Sequence, residues 1–132
     1  MQVVRQNNRL KKDLVVIAGD IITGSVNYFW KRWMPTVKDD YVSMVVDVLG
    51  NLDGGDKVAV LGNHDQWDSK KTELRLVSGL ESAGIGILRN SSKEIVRDRS
   101  TVHVAGTDDY WISCNLDKAL SRVPPDKEKE KS

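Results

Sequence analysis

The chain has 132 residues, 39% hydrophobic and 30% charged, with twenty basic and nineteen acidic side chains and a formal net charge of +1. That size and composition fit one soluble, globular domain with a modest core and exclude a disordered or fibrous polypeptide. The even charge balance carries no nucleic-acid signature, which shows as a strong basic excess, and the single Cys114 excludes an intramolecular disulfide or a cysteine-rich zinc site.

Residues 1–12 are polar and basic and read as the end of an amphipathic helix running into a turn at Lys11, Lys12 and Asp13. They hold no signal-peptide core. Residues 14–18, Leu-Val-Val-Ile-Ala, are a continuous apolar run stopped by Gly19, the pattern of a strand buried on both faces of a parallel sheet. This longest apolar stretch is far too short to cross a bilayer, so a cytoplasmic or peripheral membrane location is expected. A connection over 21–36 gathers Tyr28, Phe29, Trp30 and Trp33 around Lys31 and Arg32. From Lys38 the spacing turns helical, with Tyr41, Val45, Val48, Leu49 and Leu52 on one face and Gly54-Gly55 as the stop.

Val58-Ala59-Val60-Leu61 predicts a second buried strand, stopped by Gly62. A helix over about 69–83 follows, with Glu73 in its first turn, an apolar face of Leu76, Val77 and Leu80, and Gly84 as its stop. Short β segments come next at 86–88, 94–97 and 101–105, the last two forming a hairpin around Asp98-Arg99. A short helix over 115–122 ends at Pro124-Pro125. The expected organisation is a partial domain over 1–125 and a charged, disordered tail over 126–132. Strands alternating with helices at this spacing give an α/β layered sheet. The later β cluster either mixes that sheet or builds a second layer.

The two strands share one design, an apolar run followed by glycine and then polar residues. Ligands bind at the carboxyl ends of strands in such sheets, so Asp20 and the Asn63-His64-Asp65 cluster are expected on one rim. Gly19 and Gly62 let the backbone turn sharply there. Carboxylate and amide oxygens suit hard divalent cations, and His64 offers a nitrogen for proton transfer that Asp65 would orient. This set suits phosphoryl chemistry between two metals. Each motif alone also reads as a plain turn; the two together favour a site.

At these residues the chain resembles the calcineurin-like metallophosphoesterase superfamily. "DLVVIAGDIITG" looks like its second motif and "VAVLGNHDQW" like its third. "GLESAGIGILRNSSKEI" and "VHVAGTDDYW" are similar to a bacterial branch that includes membrane-associated phosphoesterases. The resemblance covers roughly residues 10–125 and implies an αββα sandwich hydrolysing phosphomonoesters or phosphodiesters. It implies two divalent ions (Mn, Fe, Zn or Mg), with Asp20 bridging them and Asn63 on the second, and His64 contacting the phosphate with Asp65 in support. Asp108 and Asp109 are candidate substrate-side acids, with a loop-structuring role as the alternative.

The departures matter equally. The family opens with Asp-x-His and closes with a separate His and then Gly-His-x-His, whereas the chain's histidines are His64 and His103 alone. His103 alternates with Val102 and Val104 and is expected to face outward. The expectation is therefore a domain truncated at both ends, whose missing ligands come from absent segments or a complementary polypeptide, and which alone binds metal weakly or not at all. Whether it is an active enzyme stays open. The alternatives are an inactive remnant and a membrane-surface module using the aromatic and basic patch at 28–33, for which a structural, core-capping role is preferred.

Overall fold

The structure, a computed structural model, describes residues 2–22 and 39–125. The aromatic and basic patch at 28–33 and the charged tail at 126–132 lie outside the described residues. The polar N-terminal segment forms α1 (Gln2–Asn8), which has no buried residue. Asn8 moors it, donating to the Asn51 carbonyl at 2.8 Å and accepting from the Asp53 amide at 2.8 Å.

The two β-branched runs become strands as expected, because branched side chains pack well on a pleated surface. β1 (Leu14–Ala18) pairs in parallel with β2 (Asp56–Val60), the crossover carrying α2 (Asp39–Gly50). β2 pairs in parallel with the short β3 (Gly86–Ile87), and α3 (Asn63–Trp67) and α4 (Lys70–Ser82) lie between them in sequence. The sheet order is β1-β2-β3.

Side chains alternate across a strand, so the register Ile17↔Ala59↔Ile87 places these three on one face. That face meets Val42, Val45, Val46 and Leu49 of α2 and Leu76, Val77 and Leu80 of α4. Together with Ile22, Leu61 and Ile85 they make the core. α4 begins where expected because the Ser69 hydroxyl oxygen accepts from the Thr72 amide at 3.1 Å, a cap that stabilises by about 1 kcal/mol.

α2 departs from expectation in its end and its face. It stops at Gly50, not at Gly54-Gly55, because the Asn51 and Leu52 amides close the last turn on the carbonyls of Val48 and Leu49. The chain then turns into β2, where the Asp56 amide donates to the Asp13 carbonyl at 2.9 Å. Val42, rather than Tyr41, is the buried residue of its first turns. Val48 lines a groove with Val4, Arg5 and Met44 instead of entering the core.

β4 (Ser91–Arg97) and β5 (Ser100–Gly106) form a separate antiparallel hairpin, so the second-layer arrangement is the one adopted. The pair Arg97↔Ser100 leaves a two-residue turn, with Asp98 at φ 51°. The hairpin lies over the other face of the sheet. Lys93 and Arg97 both reach the Asp56 carboxylate, each at 2.7 Å, and Gly106 rests on Leu88 and Val60. α5 (Leu116–Leu120), capped by the Asn115 side chain on the Lys118 amide at 2.8 Å, packs on the hairpin.

The hairpin packs over β2 and Leu88 and reaches β1 only at its start, where Arg97 Nη2 donates to the Asp13 carbonyl at 3.4 Å. Val16 is 57% exposed, which corrects the expectation of a strand buried on both faces. His103 pairs with Glu94 on the hairpin face opposite Ile95. No helix among the described residues is long and apolar enough to cross a membrane. The chain is thus α/β, with helices, a parallel sheet, a β hairpin and a last short helix.

Candidate functional site

The ends of β1 and β2 meet glycine against glycine. A Cβ on Gly19 would lie 2.8 Å from the Gly62 amide nitrogen, and one on Gly62 would lie 2.6 Å from the Asp20 amide nitrogen and collide with its carboxylate. Neither position therefore accepts a side chain, which explains both motif glycines by contact rather than by turn propensity. Gly19 also sits at φ 91° and Asp20 at φ 47°. A non-glycine residue in that left-handed region is uncommon, though aspartate tolerates it better than most. The strained turn aims the Asp20 carboxylate across at the second motif, where its Oδ1 accepts from the His64 amide at 3.3 Å.

The second motif is the start of a helix, not an irregular turn. Gly62 is the N-cap of α3, and Asn63, His64 and Asp65 are its first three residues. Asp65 is fully buried and uses its carboxylate as a staple. Oδ2 accepts from the Gly62 amide at 2.8 Å and Oδ1 from the Ile22 amide at 2.8 Å. One side chain thus fastens the segment after β1 to the segment after β2. Burial pushes the Asp65 carboxyl above its ordinary value, against the Ile22 and Gly62 amides that hold the charge in place. The carboxylate bridges the backbone, whereas the sequence pointed to support of the imidazole.

Asn63 and His64 are half-buried, and the His64 amide lies against Asp20. The His64 ring lies against Trp67, with centroids 4.7 Å apart and planes tilted by 40°. Its Nδ1 is buried without a hydrogen-bond partner. Trp67 itself is 54% exposed.

A second polar network sits behind this turn, and sequence reasoning missed its centre, Arg89. The guanidinium takes the Asp108 carboxylate in a fork, Nε at 2.9 and 3.2 Å and Nη2 at 3.1 Å. Nη1 donates to Glu73, and Nη2 also donates to the Gln66 side-chain oxygen at 3.0 Å. Asp108 raises the Arg89 pKa further, with Glu73 adding to it against the effect of burial. Burial pushes the Glu73 carboxyl up, but hydrogen bonds from Lys70 and Arg89 outweigh it and hold it below its ordinary value.

Asp108 is buried and also accepts from the Ser113 hydroxyl at 2.9 Å, so both its oxygens are engaged in shaping the loop after β5. Asp109 accepts from the Trp111 amide at 2.9 Å within the same loop. Asn90, at φ 47°, closes it from the other side. Its Oδ1 accepts from the Asp108 and Asn115 amides at 3.2 and 2.9 Å, and its Nδ2 donates to the Ser113 carbonyl at 2.8 Å. Both acids thus make hydrogen bonds within or beside this loop. The available signal was a lone arginine between a buried strand and Asn90, with an acid pair after the last strand.

Asp20 and Asn63, which follow the two strands, carry side-chain oxygens of the kind that hard cations take. Among the described residues, no group of three or more His, Cys, Asp or Glu could hold a metal ion.

No curated protein and no solved structure gives a significant match to the chain. The family model for calcineurin-like phosphoesterases matches residues 1–119, a stretch that contains both strand-end motifs and the Arg89 network. With those motifs meeting at one end of a parallel sheet, the chain belongs to the calcineurin-like phosphoesterase family.

Proposed function

We propose that this chain supplies one half of a metal-dependent phosphoesterase site acting on a phosphate monoester or diester. The observation that carries the reading is the close meeting of the two motifs, with Asp20 Oδ1 3.3 Å from the His64 amide. Asp20 and Asn63 would be oxygen donors to a pair of divalent ions, which in this chemistry polarise the phosphoryl group. The remaining donors would come from a complementary polypeptide or a further segment. His64 would meet the phosphate and give a proton to the departing oxygen, and Asp65 would keep its turn in place. The buried Nδ1 favours Nε2 as the nitrogen used.

The test is Mn²⁺-dependent hydrolysis of p-nitrophenyl phosphate and its bis ester by the full chain. Slow hydrolysis is expected, falling to background in Asp20→Asn and by about 10²-fold or more in His64→Ala. The absence of a His, Cys, Asp or Glu cluster among the described residues favours a second reading, an inactive remnant of such an enzyme. Hydrolysis no faster than that of His64→Ala at any Mn²⁺ level would select it. A membrane-surface role rests on residues 28–33, and retained binding to anionic vesicles in Trp30→Ala/Trp33→Ala would remove it.

A further inference from the structure

We propose that Arg89 is a positioning residue for His64, acting through Gln66. The inference rests on the reading of His64 as the group that meets phosphate. Arg89 lies just beyond β3 and joins three separate segments: α3 through Gln66, α4 through Glu73, and the loop after β5 through Asp108. Gln66 continues the connection, its Nε2 donating to the Gly62 carbonyl at 3.4 Å. Gly62 in turn presses on Asp20. A continuous polar path therefore runs from the loop after β5 to the meeting point of the two motifs.

Two further observations give that path a positioning role. Nδ1 of His64 is buried with no partner, so no hydrogen bond of that nitrogen sets the direction of the ring. The ring direction follows from the placement of α3 and from contact with Trp67 at 4.7 Å. Only five residues long, α3 cannot hold its own orientation by helix length and depends on its tethers. Asp65 tethers its first turn and Gln66 its other side.

The composition of the network points the same way. The Glu73 and Asp108 side chains are 7% and 5% exposed, and both meet one guanidinium. Two buried carboxylates on one cation are a poor route to stability, since desolvation offsets much of the attraction. They are a good route to a single geometry, because the planar fork of arginine fixes the direction of each partner.

The chain contains two histidines, so ring-proton NMR gives two resolvable sets of signals, assigned with His103→Gln. The indole of Trp67 displaces the His64 signals by its ring current. Gln66→Ala cuts Arg89 from α3 and leaves its pairs with Asp108 and Glu73 intact. The expected result is loss of the displaced His64 signals, with the His103 signals and the urea midpoint unchanged. Arg89→Lys, which cannot span all three partners, is expected to give the same loss with a lowered midpoint. Unchanged His64 signals in Gln66→Ala would overturn the proposal and leave Asp65 as the sufficient tether. If Arg89→Lys fails to fold, Gln66→Ala alone decides. Neither measurement needs metal or substrate, so failure here is separate from failure of the phosphoester reading, which hydrolysis tests.

Discussion

At the scale of single residues the site is defined by what cannot be added to it. Gly19 and Gly62 touch, so any side chain at either must displace the Asp20 turn. Gly62→Ala is expected to destabilise the fold by about 1–3 kcal/mol, as overpacking does, measured as a lower urea midpoint; an unchanged midpoint would show that the two strand ends are not in contact. Asp65 has the complementary role, supplying acceptors where two backbone amides converge. Asp65→Asn turns one of those acceptors into a donor facing an N–H group. It should cost about 1–3 kcal/mol, the penalty of a buried unsatisfied group, again by urea unfolding. The sequence drew attention to Asp65 by its neighbours. Its partner at Ile22 was not legible, because that contact joins residues forty-three positions apart. Arg89 was hidden for the same reason, since its partners Gln66, Glu73 and Asp108 come from both sides of it in the chain.

Among elements, the hairpin and the parallel sheet are held together by charge as well as by apolar contact. Asp56 lies under Lys93 and Arg97, whose hydrogen bonds hold its carboxyl below the ordinary value. The folded protein therefore takes up that proton at lower pH than the unfolded chain does. Its stabilising contribution is complete above the ordinary carboxylate value and is lost as pH falls through the depressed one. Glu73, also held low, acts in the same direction. The urea midpoint should decline as pH falls below about 5, and decline less in Asp56→Asn; equal slopes would remove Asp56 from the clamp. β1 has the opposite problem, as an apolar edge strand whose Val16 is left uncovered. Such edges recruit other strands, so Val16→Lys should reduce concentration-dependent association, followed by sedimentation, with stability changed by only about 0.5 kcal/mol. The strands were legible because a β-branched run closed by glycine has few other uses. The face of α2 was not, because Tyr41 and Val42 both satisfy a helical spacing and only the position of α4 selects Val42.

For the whole molecule, the fold brings to one rim the two motif glycines that the sequence keeps forty-three positions apart, and it places the loop after β5 behind them as a brace. What it gathers there is the Asp20 carboxylate, accepting from the His64 amide, and a His64 ring packed against Trp67. In the proposed function this rim is where a divalent cation would be met. The most direct measurement is paramagnetic broadening of backbone amide NMR signals by substoichiometric Mn²⁺. The signals of Gly19, Asp20, Gly62, Asn63 and His64 are expected to broaden first, those of β5 to persist, and Asp20→Asn to abolish the selectivity. Broadening spread evenly over the exposed acids, and unaffected by Asp20→Asn, would contradict it.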